Sequence, residues 1–467
     1  MRRRRRSYGR RKSSNSLWIV ILGLMIGAGA YIFTSQGFER NAPLIKSDDF
    51  IYWNRKDPLQ INISDDNALK AYTVYVSDGK NNLLVANEVI LENVKNKTLS
   101  IVYPKKVVEG VRLNPRATKL QVSVEVSDKS NWNFFQGNTV KKIINVKVDY
   151  KRPDVNILAN SYSVTRGGVG LVVFQVKDEA LEGFYVEATG NQFQAQPYKE
   201  EGTYATLIAW PFNKENFSAN IVAIDKAGNK RISTIPFYLS SRRYKTSWME
   251  AKDKFIDGKI SDLIASEPDY SMIDDRLEKL KTINEVMRLK NEDLIHSLSK
   301  KVSTEILDEW KIKKFYPLKN AAKVASFGDD RHYYYQEKEN EVSQSQHVGL
   351  DLASTKMAKV VSSNAGRVVY ADYNGIYGNM PMIDHGLGLY TLYGHCSNLM
   401  VKTGDDIGAG FAIAQTGRSG LALGDHLHFG MLVQGIEVRP EEWMDRKWIR
   451  DNIDKVFSAS NKIIEGE

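Results

Sequence analysis

Cysteine is nearly absent from this chain of 467 residues, since Cys396 is the only one. A single cysteine excludes any intrachain disulfide framework. A basic character spread over the chain is also missing. The formal net charge is +9, residues 2–12 supply eight basic side chains and no acidic one, and 9 − 8 leaves about +1 for the remainder. The high pI therefore describes a tail, and because no other basic stretch is interleaved with aromatic residues, we expect no nucleic-acid partner.

The N-terminal region contains a long apolar run, residues 17–33, without a charged side chain. As a helix this run would span about 26 Å, which is near the lower limit for crossing a bilayer. Because basic flanks stay cytoplasmic, we predict that residues 1–16 form a cytoplasmic tail. Residues 17–34 would then be a single-pass anchor in the cytoplasmic (inner) membrane, with the rest of the chain outside. A cleaved signal peptide is the alternative, since Ala28-Gly29-Ala30 resembles a cleavage site.

Residues 48–240 have the composition of β-structure, and a length of 467 residues predicts several domains. Short runs of alternating apolar residues, such as 120–126, are separated by turns rich in Gly, Asn and Asp. This spacing predicts β-sandwiches. The turn at residues 225–229, Asp-Lys-Ala-Gly-Asn, resembles one of bacterial immunoglobulin-like domains. We therefore predict two such domains, 48–150 and 151–240, which act either as a spacer or as a surface that binds a cell-wall protein partner.

The hydrophobic period changes to that of a helix over residues 247–312. One apolar face runs over residues 255–264 and a second over residues 273–306, and Pro268 marks a break between them. This pattern predicts a helical hairpin or arm. It either packs against a β-sandwich or lies across the candidate site of the domain that follows.

The stretch 425–433 is predicted to be a strand, because apolar, β-branched and aromatic residues dominate it and no proline interrupts it. Side chains alternate between the two faces of a strand. His426 and His428 therefore point one way, and Leu427 and Phe429 point the other. Two imidazoles side by side on the polar face suit a metal ion, although a pair of hydrogen-bonded surface histidines would show the same pattern.

The remaining histidines favour the metal interpretation, since six of the seven lie in the last third of the chain. Zinc favours a tetrahedron of imidazole and carboxylate ligands, with one open position in a catalytic site. His347, Asp351 and either His426 or His428 would supply three ligands. In a straight strand, however, residues i and i+4 are roughly 13 Å apart. Gly349 must therefore permit a bend or bulge, or His347 lies on a loop that swings back over the strand of Asp351.

Several short motifs of the C-terminal region follow one another in a fixed order. From the N-terminal side they are Phe327-Gly328-x-x-Arg331, His347-x-Gly349-x-Asp351, Ile383-Asp384-His385-Gly386, Tyr393-Gly394-His395, Thr416-Gly417 and Asp425-His426-Leu427-His428-Phe429. Over residues 317–445 this order resembles the lysostaphin-like zinc metallopeptidases, also called the LytM or M23 family. The resemblance implies an antiparallel, β-rich metallopeptidase domain that acts on peptidoglycan.

The resemblance also implies roles for five residues, all of which are present in this sequence. His347, Asp351 and His428 would bind Zn²⁺, and His395 and His426 would assist catalysis. Zinc lowers the pKa of its water from 15.7 to about 7, and histidine is suited to accept the proton and pass it to the departing amine. We predict that His426 is the base and that His395 steers the water or stabilises the oxyanion; the reversed roles stay open. Relatives that only activate cell-wall amidases have usually lost metal ligands.

Three further residues in this region have alternative interpretations. His385 in its Ile-Asp-His-Gly turn is predicted to be structural. His332, which precedes three tyrosines, would line a substrate groove or belong to a packing cap. Cys396 should leave the opposite face of the strand from His395, so we interpret it as a small buried hydrophobic residue and not as a zinc ligand.

The sequence thus predicts a multidomain protein with an N-terminal transmembrane helix, two all-β immunoglobulin-like sandwiches, a helical arm, a C-terminal lysostaphin-like domain and a tail at 446–467. The predicted function is that of a membrane-anchored zinc endopeptidase, which hydrolyses peptide bonds in peptidoglycan stem peptides or cross-links outside the cytoplasmic membrane. The first alternative is a LytM-type binding protein that activates another cell-wall hydrolase. The second is a structural or adhesive protein, in which a fourth protein ligand would close the zinc site.

Overall fold

A computed structural model describes residues 15–107 and 110–466 of the chain. The predicted basic tail lies outside the described residues, except for its last two positions. The chain folds into two compact units. The first runs up to Lys151 and includes Asp225–Asn229, and the second comprises Arg152–Ile224 and Lys230–Glu467. Most of the regular structure is β-sheet.

The N-terminal apolar run forms one helix, α1 (Asn15–Thr34). Its segment Leu17–Thr34 is long and apolar enough to cross a membrane, and its large side chains are exposed along its length. A signal sequence near an N-terminus has the same properties. The helix is therefore compatible with a single-pass anchor and with a signal sequence. A short 3₁₀ turn, Gln36–Phe38, leads from the helix into the first β domain.

The first β domain contains two sheets that share one apolar core. Its strands are β1 (Leu44–Lys46), β2 (Phe50–Trp53), β3 (Leu59–Ser64), β4 (Leu69–Ser77), β5 (Asn82–Val89), β6 (Asn96–Ile101), β7 (Lys119–Asp128) and β8 (Thr139–Val148). The sheet orders are β1-β3-β6 and β2-β8-β7-β4-β5. Every second residue of β7 from Leu120 to Val126 is buried, so the alternating sequence places one face of this strand in the core. The immunoglobulin-like topology of this domain stays a prediction.

The second β domain also consists of packed sheets. Its strands are β9 (Asp154–Asn160), β10 (Ser163–Thr165), β11 (Val169–Lys177), β12 (Leu181–Ala188), β13 (Asn191–Phe193), β14 (Gln196–Tyr198), β15 (Glu200–Ala209), β16 (Ala219–Asp225), β17 (Lys230–Thr234) and β18 (Tyr238–Ser240). They form the sheets β14-β15-β11-β9, β13-β12-β16-β17 and β10-β18. Strand β11 is buried on both faces over its first six residues, which requires a further layer of structure beside the sandwich.

That further layer is the C-terminal domain, with which the second β domain shares a continuous apolar core. Hydrogen bonds also link the second β domain to the C-terminal domain. The Tyr198 hydroxyl donates to Asn461 Oδ1 at 2.7 Å, and Ser161 Oγ donates to the carbonyl of Asn452 at 2.8 Å. The second β domain is therefore packed onto the C-terminal domain and is not a flexibly linked spacer.

The arm begins with a strand and continues as two helical segments joined by a turn. Its elements are β19 (Thr246–Glu250), Asp253–Phe255, the π-helical turn Ile256–Ile260, Ser261–Ser266, the 3₁₀ turn Pro268–Tyr270, Arg276–Lys281, the π-helical turn Thr282–Met287 and Arg288–Leu298. The break predicted at Pro268 is confirmed, since the first helical segment ends at Ser266. The prediction of helix beyond Leu298 is wrong, because residues 299–312 form neither helix nor strand. The Leu307 backbone instead donates to Pro197 at 2.9 Å, so a long-range contact outweighs the local period.

The apolar face of the arm packs against the C-terminal domain. Leu280, Ile283, Met287 and Ile295 are at most 1% exposed. They share one apolar cluster with side chains from the central sheet of that domain, namely Met380, Met382, Tyr390, Leu392 and Leu432. The arm is therefore part of a core, and its packing surface is not the β-sandwich.

The C-terminal domain is built on one large antiparallel sheet. Its strands are β20 (Ala322–Ala325), β21 (Asp329–Tyr334), β22 (Glu341–His347), β23 (Leu350–Ala353), β24 (Lys359–Val361), β25 (Gly366–Tyr373), β26 (Asn379–Asp384), β27 (Leu389–Gly394), β28 (Asn398–Leu399), β29 (Asp406–Ile407), β30 (Ala412–Gln415), β31 (Leu427–Val433) and β32 (Ile436–Val438). The large sheet has the order β20-β23-β31-β27-β26-β25-β29, with β32 beside β31. Smaller sheets are β19-β21-β22 and β24-β30-β28, in the first of which β19 runs parallel to β21.

The segment predicted as a C-terminal tail, 446–467, is helical over most of its length. Helical stretches follow the large sheet at Pro440–Trp443, Arg446–Ile449, Arg450–Asp454 and Lys455–Glu465. Ile449, Ile453 and Val456 are at most 4% exposed and belong to the core shared with the second β domain. The segment is therefore an integral part of the fold.

Candidate metal centre and its cleft

Two of the candidate metal ligands face each other across neighbouring strands. Asp351 in β23 is directly paired with His428 in β31, and on the other side of β31 His428 is paired with Gly394 of β27. Directly opposed residues of an antiparallel pair have Cβ atoms about 5 Å apart, within reach of a shared ion. Register alone therefore brings the carboxylate and the imidazole together.

The third candidate ligand, His347, ends a different sheet. It is the last residue of β22, and the bend at Val348-Gly349 returns the chain into β23 before Asp351. The predicted bend at Gly349 is thus present, and it carries the chain from one sheet to another. A Cβ on Gly349 would lie 2.6 Å from the His428 ring, so glycine is needed for the imidazole to fit.

The three side chains converge on one point. His347 Nε2 lies 3.0 Å from Asp351 Oδ1 and 3.1 Å from His428 Nδ1, and the last two atoms are 2.9 Å apart. His347 Nδ1 is 2.8 Å from the Ser326 carbonyl, which can only accept, so Nδ1 carries the proton and Nε2 is left as an acceptor toward the cluster. Atoms bound tetrahedrally to zinc at 2.0–2.1 Å lie roughly 3.3 Å apart. The donor set and its spacing therefore fit zinc.

The charge states suit a cation as well. Burial lowers the pKa of His428 to about 4, so this imidazole is neutral at physiological pH. Burial alone would raise the pKa of Asp351, but the close contacts of its carboxylate with His347 and His428 outweigh burial and hold the pKa of this carboxyl well below its usual range. Neutral imidazole and ionised carboxylate are the forms that coordinate a metal ion.

The two candidate catalytic histidines stand beside this cluster. The ring centroids of His395 and His426 are 4.8 Å apart, and His426 Nε2 lies 3.7 Å from Asp351 Oδ1. Both rings donate Nδ1–H to a backbone carbonyl: His395 to Ser419 at 2.9 Å and His426 to Gly424 at 2.8 Å. In each neutral ring, Nε2 is thereby left as an acceptor. Burial lowers the pKa of His395 to about 3, so this ring stays neutral.

All five residues line one cleft with a volume of about 740 Å³. One wall comes from the arm and the strand before it, through Met249, Glu250, Lys252, Phe255 and Arg288. A larger cavity of about 1030 Å³ lies near the C-terminal helix, but none of the five residues lines it. We therefore place the candidate site in the smaller cleft.

The sequence region that forms this cleft matches a known protein family. The sequence profile of Peptidase family M23 matches residues 345–440, the stretch that holds all five residues. The chain carries an M23 peptidase domain. Phe327, Gly328 and Arg331, which the sequence resemblance included, lie upstream of the matched stretch.

Curated relatives of the M23 domain include both an activator and an enzyme by name. The murein hydrolase activator EnvC of Escherichia coli is 33% identical over 98 residues, which are 21% of this chain and 23% of that protein. The peptidoglycan DD-endopeptidase ShyA of Vibrio cholerae is 35% identical over 89 residues, which are 19% of this chain and 21% of that protein. The chain thus matches less than a quarter of the length of either relative.

A solved structure extends further along the chain. A zinc-containing peptidase from Vibrio cholerae aligns over 72% of this chain and 83% of its own, with 14% identity and a TM-score of 0.27. By name, EnvC activates a murein hydrolase and ShyA is an endopeptidase of peptidoglycan.

Two further residues contact the site, and the sequence analysis gave neither of them a role. Arg331 on β21 lines the cleft, with its guanidinium 3.3 Å from Asp329 Oδ2 and 3.9 Å from Asp351 Oδ2. Tyr377 packs its ring edge-on against His428, with centroids 5.5 Å apart, and its carbonyl accepts the His395 backbone N–H at 2.7 Å. The motif already contained Arg331, but local sequence gives no signal for Tyr377.

The other candidates lie away from the cluster. The imidazole of His385 is buried between the Ala365 carbonyl and the Thr391 hydroxyl, at 2.8 Å from each, as a structural residue would be. His332 stacks on Trp248 and binds Glu341, outside the cleft lining. The Cys396 thiol is buried and donates to the Tyr393 carbonyl at 3.2 Å, and burial raises its pKa to about 12. Within the described residues, the cluster of three therefore gains no fourth protein ligand.

Proposed function

We propose that this protein is a membrane-anchored zinc endopeptidase that hydrolyses peptide bonds in peptidoglycan stem peptides or cross-links. The observation that carries the proposal is the convergence of His347, Asp351 and His428 within 3.1 Å of one another, with two acceptor imidazoles at their side. Three protein ligands leave one position for a reactant, as in catalytic zinc sites and unlike closed structural ones.

In this proposal His347 Nε2, Asp351 Oδ1 and His428 Nδ1 hold the zinc ion. When bound, zinc supplies Lewis-acid polarisation of a peptide carbonyl and makes water acidic enough to attack at neutral pH. Arg331 and the Ser326 carbonyl act on the ligands themselves: the first orients Asp351, and the second fixes the tautomer of His347.

His426 and His395 would manage the proton and the water. His426 Nε2 is an acceptor close to Asp351 and takes the proton of the attacking water, after which the same nitrogen returns it to the departing amine. His395 Nε2 is an acceptor in a ring that stays neutral, so it orients the water by accepting a hydrogen bond. A ring with this tautomer does not donate from Nε2, which disfavours an oxyanion-stabilising role for His395.

The arm would form a fixed wall of the substrate cleft. Its Phe255 and Arg288 line the cleft, while Asn291 Oδ1 accepts the backbone N–H of Ile376 at 2.9 Å, one residue before Tyr377. A Cβ on Gly375 would meet Asn291 at 2.3 Å, so the arm and the loop that supports His395 are in close contact. Binding and positioning of the peptide on one side of the cleft would therefore depend on the arm.

The N-terminal half would hold the enzyme next to peptidoglycan. With α1 as a single-pass anchor and the N-terminus cytoplasmic, the two β domains and the M23 domain would lie outside the cytoplasmic membrane, where peptidoglycan is found. The first β domain would act as a spacer or bind a cell-wall protein. Cleavage of α1 as a signal peptide would release the same enzyme from the membrane.

The second candidate function is activation of another cell-wall hydrolase, which the similarity to EnvC favours. Activation requires a binding surface and no zinc chemistry. Retention of His347, Asp351 and His428 together with both acceptor histidines favours the peptidase, because an activator has no need for this geometry.

The decisive experiment is digestion of purified peptidoglycan by the full chain in detergent, with zinc counted and fragments identified by mass. The His428→Ala variant is expected to fold, lose zinc and release nothing. The matched control is His332→Gln, which changes a histidine paired with carboxylates outside the cleft and should keep both zinc and activity. Wild-type protein that binds zinc but releases no fragments, yet stimulates a cell-wall amidase, would establish the activator instead.

A further inference from the structure

Three carboxylates meet at the start of the first β domain, far along the chain from the M23 domain. Glu39 follows the turn after α1, Asp65 follows β3, and Asp128 is the last residue of β7. One carboxylate oxygen from each lies within 4.8 Å of the others. Asp128 is fully buried and Asp65 is 9% exposed.

Several of these oxygens are buried without a partner. Within the described part of the chain, both carboxylate oxygens of Glu39 and Oδ2 of Asp65 are shielded from solvent and accept no hydrogen bond. Leaving a buried acceptor unpaired destabilises a fold, and more so when the acceptor is charged. Lys95, whose charge acts on Glu39, is exposed and donates to the Asp66 carbonyl. Among the residues that the structure describes, no ion pair neutralises the three carboxylates.

The fold holds the Asp128 carboxylate and the backbone of Glu39 in place. Asp128 accepts from the backbone of Ser130 at 2.9 Å and from that of Asn138 at 2.8 Å, and the Asn138 amide also donates to the Glu39 carbonyl at 3.0 Å. Gly137 has a φ of 86°, and a Cβ there would meet the Asp128 carbonyl oxygen at 2.5 Å. Only glycine lets this loop close over the carboxylate.

The same arrangement recurs at the next domain boundary. The Asn229 amide donates to Asp225 Oδ2 at 2.9 Å and to the Asp149 carbonyl at 3.0 Å. The Asn138 amide likewise joins Asp128 Oδ2 to the carbonyl of an acidic residue that precedes a β domain. In both cases the aspartate is the last residue of a strand. The recurrence indicates a built feature.

We propose that Glu39, Asp65 and Asp128 bind a calcium ion, which ties the segment after α1 to the first β domain. Calcium takes six to eight oxygen ligands at 2.3–2.6 Å, so that oxygens on opposite sides of the ion lie up to about 5 Å apart. The spacing of the three carboxylates fits this range.

Three ionised carboxylates at this spacing repel one another, and a divalent cation removes that repulsion. A calcium ion would stiffen the junction between the apolar helix and the folded region.

The test is a titration of the full chain, with zinc already bound and in detergent, with calcium chloride. Calorimetry measures binding, and thermal unfolding measures the change in Tm. Wild-type protein should bind calcium with a Kd of about 0.1–1 mM, the range of extracellular modules, and its Tm should rise. Asp65→Asn should weaken binding by about tenfold or more, because affinity follows the number of charged ligands. The matched control is Asp66→Asn, which removes the same charge from the exposed adjacent residue and should bind as wild type does.

Folding of the variants is read in calcium-free buffer. There Asp65→Asn should unfold at or above the wild-type temperature, because the substitution relieves repulsion among the carboxylates. If it does not fold, Glu39→Gln provides a second variant, since Glu39 lies outside the strands of the two sheets. The proposal is overturned if wild-type protein takes up no calcium, if both variants bind it as tightly as wild type, or if Asp66→Asn loses as much affinity as Asp65→Asn.

Discussion

Asp351 Oδ1 lies 2.9 Å from His428 Nδ1 because the two residues are register partners on β23 and β31. The metal centre thus depends on one strand pairing and on a single carboxylate shared by two histidines. We expect Asp351→Asn to lower zinc affinity by more than about 100-fold, since even changes to partners of metal ligands cost 10–100-fold. Zinc would be measured by competition with a chromogenic chelator, and peptidoglycan hydrolysis should fall in parallel. Retention of bound zinc in this variant would refute the assigned ligand set.

Arg331 should matter through Asp351 and not through substrate. Its guanidinium is 3.9 Å from Asp351 Oδ2. We expect Arg331→Gln to weaken zinc binding by about 10–100-fold, as loss of a partner of a metal ligand does. Excess zinc should restore most of the activity. The control is Arg367→Gln, an exposed arginine paired with Asp406 at 3.3 Å. Activity lost without any change in zinc affinity would show that Arg331 binds substrate instead.

The two catalytic candidates should be separable from the metal. His395 has a φ of 65°, a region that asparagine tolerates better than most residues, so His395→Asn should keep the fold. We expect His426→Gln and His395→Asn each to lower kcat by about 10²–10⁴-fold, the usual contribution of proton transfer by a positioned side chain. Each variant should still bind one zinc. Loss of zinc in either variant would make that histidine a ligand.

The arm should behave as part of the core. Ile283 is fully buried in the cluster that contains Met382 and Leu392. We expect Ile283→Ala to lower the free energy of unfolding by about 2–5 kcal/mol, as for other large-to-small core substitutions. Val286→Ala, on the exposed side of the same helical stretch at 52% exposure, should change it by no more than about 0.5 kcal/mol. Urea denaturation measures both.

Equal, small effects at the two positions would mean that the arm is loosely attached and able to move off the cleft. For the same reason we expect a fragment starting at residue 313 to be unstable. It would expose the sheet face that holds Met380 and Leu392, so it cannot serve as a test of inhibition by the arm.

Glu442 should make stability depend on pH. It is buried beneath the second β domain, where Val169 N–H donates to its Oε2 at 3.1 Å and Arg439 lies 3.3 Å from its Oε1. Burial raises the pKa of Glu442 from 4.5 to about 7. Between pH 4.5 and 7 the folded state therefore binds a proton that the unfolded state has released. This proton binding contributes at most about 3 kcal/mol to the free energy of unfolding. The contribution is complete below pH 4.5 and is lost as the pH rises through 7.

We expect Glu442→Gln to flatten the Tm profile between pH 5 and 8 relative to wild type. Glu309→Gln, whose side chain is 63% exposed, is the matched control and should leave the profile unchanged. A Glu442→Gln profile parallel to that of wild type would show that Glu442 stays ionised through its contact with Arg439.

Local sequence pattern accounts for much of this structure. The alternation of 120–126 gives β7, and that of 427–433 gives β31; the strand begins two residues later than predicted, and His426 directly before it and His428 within it both line the cleft. Motif order pointed to His347 and Asp351 as partners of His428. These predictions succeeded because strand alternation and short motifs depend on residues that are close along the chain.

Only the tertiary structure determines which residues pack against an apolar face. The helical period of the arm shows that one side is buried, but it does not say that Met380 and Leu392 lie opposite. It also fails beyond Leu298, where pairing of Leu307 with Pro197 replaces the helix. Contacts between residues far apart in sequence set these outcomes, and their energies exceed the helix preferences of single residues.

The candidate site likewise has features that the sequence indicates and features that only the fold decides. The sequence by itself identified the candidate residues, because the resemblance of its motifs implied His347, Asp351 and His428 as ligands and His395 and His426 as catalytic residues. Only the fold decided that His347 and Asp351 sit on two different sheets joined at Gly349, and that Arg331 and Tyr377 support the cluster. The distances of about 3 Å between the candidate ligand atoms arise from strand register and from the absence of a Cβ at Gly349. Both depend on how separate segments of the chain pack together in three dimensions.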